Sequence, residues 1–88
     1  MKYVVRYHTD PNGFHKAREV FPAHQQHFSR FQRDGTLLMI GPFADPLAGA
    51  MAIFTTRGAA EAFVAGDPFV LEGVVGKYEI LEWNEAIA

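Results

Sequence analysis

The sequence predicts an α+β fold of the ferredoxin-like kind: four strands and two helices in the order βαββαβ, one antiparallel sheet, both helices on the same face. Three observations carry this reading. The opening segment KYVVRYH (2–8) changes side with a period of two, as a strand does. Phe21, His24, Phe28 and Phe31 recur at intervals of three and four, the period of one helix face. The remaining segments, cut by Gly and Pro, then fall in the order strand, strand, helix, strand.

Taken in order, residues 2–8 form the first strand, with Tyr3, Val5 and Tyr7 on one face and Val4, Arg6 and His8 on the other. Thr9-Asp10-Pro11-Asn12-Gly13 is a loop, because Pro presets φ and Asn-Gly tolerates positive φ. Residues 14–20 make a short turn. Pro22 cannot donate within a helix but suits a first turn, so the main helix is expected over 22–34, with Gly35 as its stop. TLLMIGPF (36–43) is the second strand, ending near Pro42, and ADPLAG is a hairpin loop. AMAIFT (50–55) is the third strand, with little polar relief on either face. Thr55 or Thr56 caps a second helix over 57–65, stopped by Gly66. Asp67-Pro68 starts another turn, Asp as cap and Pro in the first helical position. VVGKYEILEW (74–83) is the last strand, and the tail NEAIA is expected to be loose or to pair weakly.

Composition narrows the function. Eighty-eight residues make one domain, 1–88, and 49% apolar against 20% charged is the balance of a globular chain, not a disordered one. A net charge of −2 gives no basic field for nucleic acid. Without cysteine there is no disulfide scaffold, no thiolate-held metal and no thiol nucleophile. No segment reads as a membrane span or as the hydrophobic region of a signal peptide, so the expected location is the cytoplasm. Phosphate loops, dinucleotide fingerprints and serine triads are absent. His8, His15, His24 and His27 lack an accompanying HExxH or carboxylate–x–x–His pattern, so neither a metal nor an organic cofactor is expected. The third and last strands carry apolar residues on both faces: Ala50, Ala52 and Phe54 against Met51 and Ile53, and Val75, Leu81 and Trp83 against Val74, Tyr78 and Ile80. Helices cover only one face, so the other is expected to be buried against a second copy, as a homodimer.

Four landmarks stand in order along the chain: Pro22-Ala23-His24; Gly35-Thr-Leu-Leu-Met-Ile-Gly41-Pro42; Asp67-Pro68-Phe69; and a last strand ending in Trp83. Together, from Lys2 to Trp83, they resemble the YCII-related family of small dimeric α+β barrel proteins. The resemblance implies that fold, a dimer, and an active site holding a His and an Asp, roles that map onto His24 and Asp67. A related dehydrochlorinase acting on a chlorinated hydroxyquinol adds lyase-type chemistry to what it implies.

The residues themselves leave alternatives. His24 on the inward stripe is either a core histidine bonded to a backbone carbonyl or a general base, since an imidazole exchanges protons near neutrality. Asp67 is a helix cap, an orienting partner for an imidazole, or both. Arg6, Gly41, Pro42 and Phe69 are the candidate substrate contacts: Arg6 binds an anionic group or forms an ion pair, and Gly41-Pro42 either sets the backbone geometry of a strand end or lets a ligand approach the backbone. The function expected is a small cofactor-independent enzyme in which His24 and Asp67 move a proton in a lyase, isomerase or dehydrochlorinase-like step on a small organic molecule. The competing reading is a dimeric ligand-binding or accessory module in which His24 is structural.

Overall fold

A computed structural model describes residues 1–88. Its elements are β1 (Lys2–Thr9), α1 (Ala17–Arg33), β2 (Leu37–Pro42), β3 (Ala50–Phe54), α2 (Arg57–Gly66), α3 (Pro68–Leu71) and β4 (Val75–Trp83), with 3-10 turns at Phe14–Lys16 and Pro46–Ala48. The strands form one sheet in the order β2-β3-β1-β4, every neighbouring pair antiparallel. This is the ferredoxin-like arrangement, in which first and last strands lie side by side. No helix is long and apolar enough to cross a membrane.

The start of α1 differs from expectation. The helix begins at Ala17 and runs through Pro22 instead of opening on it. Pro22 removes one amide donor, the one that would reach the carbonyl of Arg18. Both residues face solvent, so the orphaned carbonyl lies on the wet side of a helix near its N-terminus, where the loss costs least. The other end follows the rule for a glycine stop. Gly35 takes φ +86°, its N–H donates to the Gln32 carbonyl and that of Thr36 to the Phe31 carbonyl, both at 3.1 Å. For α2 the cap is Thr56, whose Oγ1 accepts from the Ala59 N–H at 3.1 Å.

Cross-strand partners share a face, so the register sorts the side chains. Val5 stands between Ala52 and Ile80, and Tyr7 between Ala50 and Tyr78, on the side covered by helices. Val4 stands between Ile53 and Leu81, Arg6 between Met51 and Glu79, and Lys2 beside Trp83, on the side left open. Val75 departs from the expected alternation. A register shift opposite His8/Thr9 turns it to the helix side, where it joins the core and not Leu81 and Trp83. The tail after β4 has no regular structure and is tied back by Glu85, which pairs with the Lys2 ammonium at 2.7 Å.

The core lies between helices and sheet, around Val5, Tyr7, Ala52, Phe54, Ala60, Phe63 and Val64. Phe63 is its centre. It is wholly buried and its ring lies 5.1 Å from Phe54 and 5.5 Å from Phe31, centroid to centroid. Phe63→Ala is therefore expected to cost about 3–5 kcal/mol, a large part of the stability of a small domain. Urea unfolding of the variant checks this, and a loss below about 1 kcal/mol would mean that the core is not organised around this ring.

Candidate active site

One side chain in the core is a carboxylate. Asp67 ends α2 and caps α3, and it is fully buried. Burying a carboxylate is costly unless it is hydrogen-bonded on both oxygens. Here Oδ1 accepts from the Phe69 N–H at 3.0 Å and lies 2.7 Å from His24 Nδ1, while Oδ2 accepts from the Tyr7 hydroxyl at 2.6 Å. Three elements thus converge on one carboxyl group: α1 through His24, the central strand β1 through Tyr7, and the turn into α3. The helix cap and the imidazole partner read as alternatives in the sequence coexist in one side chain.

The hydrogen-bond partners favour one arrangement of the protons. The Tyr7 hydroxyl is pushed far above its ordinary pKa, first by burial and then by the negative charge of Asp67, so it stays protonated and donates. Asp67 accepts there, and from a backbone N–H that can only donate. With the carboxylate ionised, Nδ1 of a neutral His24 carries the proton and Nε2 carries the lone pair. Nε2 has no partner within the chain, yet no fully buried side-chain nitrogen or oxygen is left without one, so this nitrogen is open to its surroundings.

Its surroundings are a pocket of about 330 Å³ walled by Phe14, Phe21, Phe28, Ile40 and Phe69. His24 is the one titratable side chain in its lining. The Phe69 ring lies flat on the imidazole, 3.9 Å between centroids and 2° between planes, and Phe28 meets it edge-on at 5.2 Å. Rotation of the imidazole is blocked by these rings and by Asp67 together.

Of the expected site residues, the structure brings His24 and Asp67 into contact and sets Gly41, Pro42 and Phe69 in the pocket wall with His24. Gly41 is not a product of backbone strain. Its φ is not positive and a Cβ there would meet nothing within 4 Å, so its lack of a side chain leaves space at the pocket rim. Arg6 is elsewhere. The alternation of β1 that sends Tyr7 to Asp67 sends Arg6 to the open face, where its Nε lies 3.4 Å from Glu79 Oε1. Arg6 is not among the residues that line the pocket.

Sequence reasoning missed Tyr7 as a site residue. The signal available was its place on a core-facing strand position, where a tyrosine hydroxyl needs an acceptor. His27 is a second histidine of α1 that turns into the core. It is buried, with Nε2 2.8 Å from the Phe63 carbonyl, and Gly66 makes room for it: a Cβ there would stand 2.9 Å from the ring. His8 pairs with Glu79 at 2.6 Å on the open face, and His15 is exposed on the first 3-10 turn. No three His, Asp or Glu side chains stand close enough to share a metal ion.

A model of the YCII-related domain matches residues 1–84. Among solved structures, 5-chloro-2-hydroxyhydroquinone dehydrochlorinase (TftG) from Burkholderia phenoliruptrix AC1100, in complex with 2,5-dihydroxybenzoquinone, superposes with a TM-score of 0.80 at 17% identity, over 98% of this chain and 96% of that one. A candidate antibiotic biosynthesis monooxygenase from Bacteroides thetaiotaomicron gives 0.61 at 16% identity, over 99% and 90% of the two chains. At such identities the likeness establishes the fold, that of the dimeric α+β barrel proteins. A search of curated proteins found no match.

The raised pKa of Tyr7 has a sign that can be measured. An unfolded tyrosine loses its proton near pH 10 and the buried one does not, so this contribution to stability is complete below about pH 10 and falls above it by about 1.4 kcal/mol per pH unit. Tyr7→Phe is expected to be less stable at pH 7, by about 1.5–3 kcal/mol, and to lack that share of the alkaline decline. Urea titrations from pH 8 to 11.5 check both, and parallel declines in parent and variant would contradict the buried Tyr7–Asp67 contact.

Proposed function

The chain belongs to the YCII-related domain family, and from that premise we propose that it is a small enzyme that moves a proton on a flat, uncharged organic molecule, with His24 as general base and acid and Asp67 as its orienting partner. The observation that carries this is the 2.7 Å contact between His24 Nδ1 and the buried Asp67 carboxylate, with His24 in the lining of an aromatic-walled pocket and its Nε2 unbonded within the chain. In the first step the Nε2 lone pair takes an acidic proton from the substrate. The imidazolium so formed is stabilised by Asp67, whose charge is fixed in place by Tyr7 and the Phe69 N–H. Return of the proton to another atom of the substrate is an isomerisation. Departure of a leaving group with its bonding pair, as the freed C–H pair becomes a double bond, is an elimination. The dehydrochlorinase named above, a fold neighbour, has an elimination in its name, which supports the second outcome. Gly41, Pro42 and Phe69 serve as walls and Arg6 takes no part in this pocket.

We also assign the open sheet face to a second copy. Met51, Leu81 and Trp83 are exposed there and, with the partly buried Val4 and the buried Ile53, border a hollow of about 290 Å³. Arg6, His8 and Glu79 form the polar centre of that face.

Two experiments test these readings. A thermal-shift screen of quinols, lactones and small acids identifies a ligand, whose exchange of acidic C–H for deuterium in D2O is then followed by NMR. His24→Gln should slow exchange by about 10²–10⁴-fold while leaving the protein folded, and Asp67→Asn should slow it less. If His24→Gln lowers only the melting temperature and exchanges at the parent's rate, His24 is structural and the chain is a binding module. For the dimer, Leu81→Glu places an unpaired charge mid-face and should yield monomers in sedimentation at micromolar concentration, since burying such a charge costs about 3–5 kcal/mol. A parent already monomeric there would refute the pairing.

A further inference from the structure

A second hollow lies against the first. It measures about 80 Å³ and sits at the ends of β1 and β4, bounded by Tyr7, Thr9, Pro46, Val74 and Val75. It shares Phe14, Ala17, Pro42, Ala50 and Phe69 with the larger pocket. Two of these shared residues are alanines, so the two spaces adjoin along small side chains at those points. The polar side chains that border the small hollow are already engaged: the Tyr7 hydroxyl donates to Asp67, and Thr9 Oγ1 donates to the Pro46 carbonyl at 2.6 Å. A water there would need two or more polar partners and finds mostly carbon.

We propose that this annex is a specificity pocket for a small apolar substituent on the substrate ring, two or three non-hydrogen atoms in size. The size follows from its volume, at roughly 30 Å³ for each water-sized group. The proposal rests on the placement of the ring beside His24 described above. It adds that the ring carries an apolar group that points past Phe69 toward Thr9, away from the open sheet face.

Phenol and its 4-methyl, 4-ethyl, 4-propyl and 4-butyl derivatives, titrated into the protein and followed by amide shifts of Gly41 and Phe69, test it. Affinity should rise about fourfold for each carbon up to ethyl or propyl and then stop or reverse. Thr9→Leu, which fills the annex from its far wall, should remove the gain for ethyl and propyl and leave phenol itself within about twofold. Should that variant fail to fold, Val74→Leu fills the same space from β4. A gain that continues through butyl, a flat series, an undiminished gain in the filled variant, or no binding by any of these phenols overturns the annex. Anisole in place of phenol tests the underlying reading separately. If anisole binds as well as phenol while the alkyl trend persists, the hydroxyl does not meet His24, yet the annex stands.

Discussion

The structure is organised around one buried charge. A carboxylate with no solvent contact must have donors on both oxygens, and Asp67 obtains them from three parts of the chain that are distant in sequence. The requirement is mutual. Asp67 fixes the direction in which α1 presents His24, the depth at which Tyr7 enters the core, and the turn by which α2 gives way to α3. Removing one donor leaves the others bonded to an under-satisfied anion, so these contacts form a network and not three separate bonds. Its position beside an apolar pocket turns a structural necessity into a chemical one, because the tautomer that satisfies Asp67 is the tautomer that turns a lone pair to the pocket.

Stacking does for the imidazole plane what hydrogen bonding does for its tautomer. Phe69 belongs to the same short helix that Asp67 caps, and its own N–H is one of the donors to that cap. The residue that holds the carboxylate from the backbone thus also covers the imidazole with its ring. Asp67-Pro68-Phe69 acts as a unit: charge, fixed φ and flat wall in three consecutive residues.

Much of this was legible in the sequence, and the exceptions have physical causes. The helix stripe at three- and four-residue spacing placed His24 inward correctly, and Asp before Pro marked the cap, because both signals are local. Pro22 misled about where α1 begins, since a proline's cost depends on whether the orphaned carbonyl is wet, which is a matter of tertiary exposure. Val75 changed face because a bulge resets the alternation that period-two reasoning extends without limit. Arg6 was grouped with a site it does not face, because strand alternation assigns a face and only the packing of helices says which face holds the pocket. Tyr7 went unnoticed for the opposite reason. Strand position gives an inward tyrosine the appearance of core, and its acceptor lies sixty residues away.

Trp83 closes β4 on the open face, paired across from Lys2, and it is the chain's sole tryptophan. It is nearly half exposed in one copy and is not among the residues that line the pocket. Its indole emission therefore follows the polarity of the sheet's outer surface, and Met51, which borders both the hollow around Trp83 and the His24 pocket, stands between the two. The protein thus carries a built-in optical label for whatever covers that face.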